Sequence, residues 1–123
     1  STAVQYKLPV KIFILNNQWM GMVRQWQELL HEKNYSESYT EALPDFDKKA
    51  EAYGAVGIRA TDPKEVDNKI EEMVKIDRPV IFDCRVKKDE NCFPMIPSGK
   101  AHNEMILGPE DEEEITEEGK VLV

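Results

Sequence analysis

Residues 10–30 read VKIFILNNQWMGMVRQWQELL, and this stretch decides the expected fold. Its first six residues are nearly all apolar, which is typical of a strand buried in a parallel sheet. After the turn, apolar side chains recur at helical spacing along one stripe, at Met22, Val23, Trp26, Leu29 and Leu30. A buried strand that leads through a turn into an amphipathic helix predicts an α/β fold.

The two asparagines, Asn16 and Asn17, lie where the carboxyl end of this strand meets the following helix. In α/β proteins, ligands bind in the crevice at that end of the sheet. A side-chain amide offers a neutral oxygen to a hard cation, and a tight turn adds backbone carbonyls. The spacing therefore indicates a magnesium site, but a turn whose asparagines bond their own backbone fits it equally well.

Local signals place further helical segments along the chain. Residues 1–8 predict the last turns of a helix. Asp45 is placed to cap a short helix that ends at Gly54, a residue suited to the left-handed conformation found there. Asp62 and Pro63 mark another helix start, with the aspartate as cap and the proline at the first helical position. The apolar residues that follow share one helix face: Val66, Ile70, Met73 and Val74.

Short apolar runs at 55–59 and 80–84 predict two more strands. The order of elements implies an open parallel sheet with helices on both faces, a partial doubly wound, three-layer α/β architecture. Residues 1–86 are expected to form this part, and it should leave one sheet edge and one helix face uncovered. Residues 87–123 lack periodicity and are expected to form an irregular tail, either a lid or a disordered end.

Charge and composition exclude several classes of protein. The net charge of −8 argues against a nucleic-acid partner, which would need concentrated Lys and Arg. Residues 110–120 hold seven acidic residues and one lysine, a net −6, and predict a solvated surface or frayed tail. No apolar run approaches the ~20 residues of a membrane span. Two cysteines without a histidine cluster predict a reducing, cytoplasmic setting and no cysteine metal site.

Five motifs, in order along the chain, resemble the carboxyl-terminal segment of the acetolactate synthase (acetohydroxyacid synthase) large catalytic subunit. They are ILNNQWMGMVRQWQ at 14–27, YSESY at 35–39, AEAYGA at 50–55, RPVIFD at 78–83 and CFPMIPSG at 92–99. A lone pair of asparagines is unspecific, but the first motif together with the last is highly specific. The resemblance covers essentially the whole chain.

The resemblance implies a domain that binds thiamine diphosphate together with Mg²⁺. It assigns Asn17 as a magnesium ligand through its side-chain oxygen and Trp19 as a ligand through its backbone carbonyl. It also places Asn16, Gly21 and Met22 against the cofactor. In the family, a GDG motif and the glutamate that activates the cofactor belong to earlier parts of the polypeptide. No catalytic residue is therefore expected within this chain.

The resemblance further implies a substrate pocket on the helix after the asparagines. Trp26 and Val23 would line it, with Trp26 narrowing the acceptor site in favour of 2-oxobutyrate over a second pyruvate. From helical spacing alone, Trp26 would more simply be a core tryptophan. Arg24 and Gln25 are expected to point elsewhere, towards solvent or an interface.

The implied parent enzyme condenses pyruvate with pyruvate or 2-oxobutyrate in branched-chain amino-acid biosynthesis. Its expected partners are the 2-oxo acids, the rest of the catalytic subunit with its FAD-binding part, a second catalytic subunit and a regulatory small subunit. The isolated chain is expected to be inactive and to self-associate. Two alternatives remain, namely another thiamine-diphosphate-dependent carboligase or oxidase and a purely structural or interaction fragment.

One local feature departs from the family pattern. Asp47 and Lys49 stand where the family usually has apolar residues, and Lys49 follows Phe46 by three positions, within the expected buried stripe. Either the lysine stem extends along the protein surface to reach water, or the helix faces solvent at this position.

Overall fold

The computed structural model describes residues 1–109. Within this range the strands are β1 (Lys11–Asn16), β2 (Val56–Ala60) and β3 (Val80–Arg85). The α-helices are α1 (Thr2–Gln5), α2 (Gly21–Leu30), α3 (Phe46–Ala52) and α4 (Pro63–Lys75). A short 3₁₀ helix spans His102–Glu104. The acidic run predicted for residues 110–120 lies outside the described residues.

The chain divides into two compact units. The first contains Ser1–Asn17 and Ala42–Lys88, and therefore holds the sheet with α1, α3 and α4. The second contains Gln18–Glu41 and the chain from Asp89 onward, and holds α2.

The three strands of the first unit form one parallel sheet in the order β1-β3-β2. The central strand, β3, places Phe82 opposite Phe13 of β1 and Ile58 of β2. Parallel neighbours that are not consecutive in sequence require crossover connections, which the helices between the strands provide. The predicted α/β class with a parallel sheet is confirmed.

Helices cover both faces of β2 and β3. Met73 of α4 packs with Ile58 and Phe82 in the main hydrophobic core. Gly57 is adjacent to Ile58 and so faces the other side of the sheet. There a Cβ atom on Gly57 would lie 2.6 Å from the Cα of Asp47 in α3, so only glycine allows the helix to approach this closely. The expected three-layer arrangement follows from these two contacts.

The predicted helix ends are also confirmed. Asp45 accepts hydrogen bonds from the N–H groups of Asp47 and Lys48, at 3.1 and 3.3 Å, and Asp62 accepts one from Lys64 at 2.9 Å. After α3, Gly54 adopts a φ of +78°, and its N–H group donates to the carbonyl of Glu51 at 2.8 Å. These side chains and this glycine satisfy backbone groups that a helix leaves open at its ends.

The expectation that β1 is a buried strand is wrong for this chain. Leu15 is 69% exposed, and Ile12 is also exposed. The reason is that, within residues 1–109, β1 is an edge strand that pairs with β3 alone, while the helices of the first unit pack mainly on β2 and β3. Among the described residues, the sheet edge at β1 is thus unpaired. The assignment of Val74 to the buried face of α4 is wrong as well, because its side chain is exposed.

The residues that the structure describes contain no helix that is both long and apolar enough to cross a membrane.

Candidate cofactor site

Asn16 is the last residue of β1 and is only 5% exposed. Its Nδ2 atom donates a hydrogen bond to Oδ1 of Asp83 at 2.7 Å. Its backbone carbonyl accepts a hydrogen bond from the N–H group of Val86 at 3.2 Å. Both the backbone and the side chain of Asn16 are thus fixed at the carboxyl end of the sheet, immediately before Asn17.

Asp83 is a completely buried carboxylate in the central strand. Its second oxygen, Oδ2, lies 3.2 Å from Nε of Arg59 on β2 and 3.2 Å from a guanidinium nitrogen of Arg85. A buried charge is tolerated only when it is paired and hydrogen-bonded, and here both conditions are met. Asp83 is not among the predicted site residues, although a charged residue in the apolar run VIFDC was a signal for it.

Arg59 extends this network to α3. Its guanidinium lies 2.8 Å from a carboxylate oxygen of Asp45 and 3.2 Å from one of Asp47. Burial alone would lower the pKa of Arg59, but the surrounding carboxylates outweigh it and raise the pKa. Asp47, which departs from the family pattern, therefore pairs with Arg59 on β2, which provides the opposite charge.

Lys49 is the second position that departs from the family pattern, and it lies in a different environment from Asp47. Its side chain is exposed, which agrees with the view that α3 faces solvent at this position. Together with Phe46 and Tyr53, it lines an apolar pocket of about 340 Å³ beside β1.

In the second unit, the residues after the asparagines form an antiparallel pairing. Gln18 adopts a left-handed φ of +64°, and its carbonyl accepts a hydrogen bond from the N–H group of Thr40 at 2.9 Å. The N–H group of Met20 donates to the carbonyl of Ser38 at 2.9 Å. Trp19 lies between these two bonds and forms a bridge with Tyr39.

The Trp19 side chain packs in an aromatic cluster. Its ring lies 5.4 Å from the ring of Tyr35 and 5.0 Å from that of Tyr39, and the Arg24 guanidinium lies 5.6 Å from its centre. The cation and the ring faces attract one another. The indole packs in this cluster and, as a hydrogen-bond donor only, offers no ligand atom to a metal ion.

The first turn of α2 is open to a ligand. Met20 precedes the helix, no side chain caps its amino end, and Gly21, Met22 and Val23 are all exposed. Uncapped N–H groups and the positive end of the helix dipole favour an anionic group such as a phosphate. The described residues contain no cluster of three His, Cys, Asp or Glu side chains suited to a metal. The stretch from Asn16 to Trp19 carries side-chain amide and backbone carbonyl oxygens, which are donor types that hard cations accept.

The prediction that Arg24 and Gln25 point towards solvent or an interface is wrong within this unit, since they are 5% and 2% exposed. Gln25 makes two hydrogen bonds with the backbone of Cys92, donating to its carbonyl at 3.1 Å and accepting from its N–H group at 2.7 Å. Arg24 pairs with Glu28 and donates to Oδ1 of Asn91 at 2.9 Å. The buried Gln25 side chain thus satisfies the backbone groups of Cys92, while Arg24 binds the side chain of Asn91.

The apolar residues of α2 fall into a buried group and an exposed group. Leu29 and Leu30 pack with Phe93, Met95 and Ile106 in a small core. Met22 and Val23 are exposed, and Trp26 is 43% exposed, so within this chain Trp26 is not a core tryptophan. An exposed apolar face of this kind is typical of a binding surface.

The described part of the predicted lid packs against α2. Met95 and Ile106 form an antiparallel bridge with hydrogen bonds of 2.9 and 2.8 Å, and both contact the Leu29 core. Of the two cysteines, Cys84 is buried and Cys92 is exposed.

Comparison with known proteins decides the family. The model of the family described as thiamine pyrophosphate enzyme, C-terminal TPP binding domain, matches residues 1–84. The chain belongs to this family. The predicted resemblance to the acetolactate synthase large subunit is confirmed by relatives of that name. The protein from Haemophilus influenzae is 46% identical over 114 residues, which are 92% of this chain and 20% of that protein.

Two further relatives support the assignment to the thiamine pyrophosphate family. The Cyanidium caldarium acetolactate synthase large subunit is 45% identical over 106 residues, 85% of this chain and 18% of that protein. A solved structure, the Rhodococcus jostii RHA1 thiamine diphosphate-dependent 4-hydroxybenzoylformate decarboxylase, matches with a TM-score of 0.64 and 29% identity. The match covers 73% of this chain and 17% of the decarboxylase. The chain thus spans about a fifth of the length of these relatives.

Proposed function

We propose that this chain is the cofactor-binding, carboxyl-terminal part of an acetolactate synthase catalytic subunit. The observation that carries the proposal is 45–46% identity to acetolactate synthase large subunits over most of the chain. The parent reaction would join a two-carbon fragment of pyruvate to a second pyruvate or to 2-oxobutyrate, in branched-chain amino-acid biosynthesis. Thiamine diphosphate, when bound, supplies the electron sink for the decarboxylation.

The residues of this chain would hold that cofactor through its magnesium ion and its diphosphate. Asn17 would contribute its side-chain oxygen to Mg²⁺ and Trp19 its backbone carbonyl, which are donors that a hard cation accepts. Asn16, Gly21 and Met22 would lie against the cofactor. The uncapped first turn of α2 supports this part of the proposal, because its N–H groups suit a phosphate.

The exposed apolar face of α2 would form one side of the substrate pocket. Val23 and Trp26 would contact the acceptor 2-oxo acid, and their exposure in this chain leaves them available for such a contact. Trp26 would favour 2-oxobutyrate by shaping the pocket around one additional methylene.

The remaining components of the enzyme would come from outside this segment. They are a carboxylate ligand for Mg²⁺, the activating glutamate, the FAD-binding part, a second catalytic subunit and a regulatory small subunit. Without them the 123-residue chain would form no acetolactate on its own. Residues 1–86 would act as the cofactor-binding part and residues 87–123 as a tail that closes the site, in the cytoplasm.

A second candidate function is a thiamine-diphosphate-dependent decarboxylase, carboligase or oxidase with another product. The structural similarity to a decarboxylase, with a TM-score of 0.64, supports this alternative. An assay of the complete polypeptide with pyruvate, Mg²⁺ and thiamine diphosphate distinguishes the two. We expect acetolactate as the main product, and release of an aldehyde or of acetate instead would favour the alternative.

A further inference from the structure

The buried pair Asn16–Asp83 suggests a role that depends on the proposed function. We propose that Asp83 is a positioning residue, which fixes the Asn16 side chain and thereby holds the adjoining Asn17 ready to bind the cofactor's magnesium ion. Asp83 itself would touch neither metal nor cofactor. It would act through Asn16.

The hydrogen-bonding groups of the pair determine how the Asn16 amide is oriented. An ionised carboxylate can only accept hydrogen bonds, whereas an amide can present either its NH₂ group or its oxygen. The 2.7 Å contact with Oδ1 of Asp83 therefore requires the NH₂ group of Asn16 to face the sheet. This turns the amide oxygen of Asn16 away from Asp83 and leaves one orientation of the side chain.

Asp83 is itself held firmly by two arginines. Its other oxygen lies between Arg59 of β2 and Arg85 of β3, at 3.2 Å from each guanidinium. The network thus connects all three strands, with Asn16 at the end of β1. A completely buried carboxylate that contacts two cationic side chains has little freedom to move, which keeps the Asn16 orientation fixed.

Asn17 directly follows this fixed residue in the chain. The preceding residue is anchored twice, by the bond from the Val86 N–H group to its carbonyl and by the bond to Asp83. Because Asn16 is fixed, the position of the Asn17 side chain depends only on the dihedral angles of Asn17 itself. Ligands held in place by such supporting contacts bind metals more tightly, and loss of the support costs roughly 10- to 100-fold in metal affinity.

The test uses the complete polypeptide that carries this segment and does not depend on turnover. Mg²⁺ is titrated by calorimetry in the presence of thiamine diphosphate, for the wild type, Asp83→Asn, Asn16→Ala and the double variant. We expect Asp83→Asn to raise the Kd for Mg²⁺ roughly 10- to 100-fold. In the Asn16→Ala background, the same substitution should have no further effect, because Asp83 acts through Asn16.

Two further variants separate positioning from stability. Met73→Ala removes core contacts on the opposite face of the sheet, so it should lower the melting temperature but leave the Kd unchanged. Arg85→Gln removes one of the two cations beside Asp83. It replaces Asp83→Asn in the titration if that variant fails to fold. It should weaken Mg²⁺ binding less, and again only when Asn16 is present.

The outcomes are distinct. An unchanged Kd in Asp83→Asn or, if that variant does not fold, in Arg85→Gln would overturn the positioning role while leaving the proposed function intact. If Asp83→Asn raised the Kd for Mg²⁺ equally in the wild type and in the Asn16→Ala background, the positioning role would also be overturned. A wild-type polypeptide that binds no Mg²⁺ with thiamine diphosphate would overturn the proposed function, and the positioning role with it.

Discussion

Asn16 and Asp83 meet at the carboxyl end of the sheet, where the amide nitrogen of the first lies 2.7 Å from a carboxylate oxygen of the second. They belong to neighbouring strands, β1 and β3, and both are buried. Asp83 is neutralised by two arginines, and Asn16 immediately precedes the residue proposed to bind Mg²⁺. The pair therefore connects the polar interior of the sheet to the proposed cofactor site.

The stability of the first unit should depend on this pair. Asn16→Ala leaves Oδ1 of Asp83 buried without its donor, which costs roughly 1–3 kcal/mol in the free energy of unfolding. Asn68→Ala, on the exposed surface of α4, is the matched control and should change it by less than about 0.5 kcal/mol. Urea unfolding of both variants measures the difference. Equal stabilities would show that Asp83 does not need its asparagine partner.

The pH dependence of stability should differ in sign between Asp45 and Asp47. Hydrogen bonding to the Lys48 N–H group and the nearby Arg59 lower the pKa of Asp45, so its ionised form stabilises the fold above the ordinary aspartate pKa. Burial raises the pKa of Asp47, and Arg59 offsets this only in part. The ionised form of Asp47 therefore destabilises the fold at neutral pH.

We expect Asp45→Asn to be less stable than the wild type at neutral pH, and Asp47→Asn to be equally or more stable. The Asp47 difference should shrink as the pH falls towards the ordinary aspartate pKa of 3.8, because its folded-state pKa lies above that value. The Asp45 difference should shrink only as the pH falls below 3.8, because its folded-state pKa lies lower. Thermal melts between pH 7 and pH 3 provide the measurement. A loss of stability in Asp47→Asn as large as that in Asp45→Asn would contradict the assignment.

The isolated chain should self-associate through the uncovered β1 edge. Leu15 is exposed on this edge strand, and unpaired strand edges with apolar side chains pair readily with other chains. Leu15→Lys should reduce association, whereas Val74→Lys, at an equally exposed position on α4, should not. Sedimentation at increasing salt tests this, because salt screens the repulsion from a net charge of −8. A monomer at high concentration and high salt would exclude it.

Replacement of Trp26 should alter the acceptor preference of the complete enzyme. Trp26→Leu removes aromatic surface from the proposed pocket, and discrimination of one methylene is worth only ~1–3 kcal/mol. Most of the preference for 2-oxobutyrate over pyruvate should disappear, while turnover of pyruvate alone persists. A competition assay with both acceptors measures the product ratio. An unchanged ratio with a large loss of thermal stability would mean that Trp26 is a packing residue in the complete enzyme.

Local signals in the sequence were sufficient for much of the fold. Asp45, Asp62 and Gly54 specify helix ends through bonds to neighbouring backbone groups, so their roles follow from short stretches. The strands likewise follow from apolar runs. The three-layer arrangement then follows from the alternation of strands and helices.

Features that depend on distant partners could not be predicted. The burial of Arg24 and Gln25 depends on the docking of residues 91–95, a segment with no periodicity. The exposure of β1 depends on which strand occupies the centre of the sheet. The bond between Asn16 and Asp83 joins residues 67 positions apart, and only the strand register brings them together.

The central claim is that this chain supplies a magnesium ligand for thiamine diphosphate through Asn17. The most direct measurement is the affinity of the complete polypeptide for thiamine diphosphate as Mg²⁺ is varied, compared among the wild type, Asn17→Ala and Trp19→Phe. We predict a strong loss of Mg²⁺-dependent binding in Asn17→Ala, since a methyl group cannot replace the amide oxygen, and a mild effect in Trp19→Phe, whose backbone carbonyl remains. Unchanged binding in Asn17→Ala, or a greater loss in Trp19→Phe, would contradict the assignment.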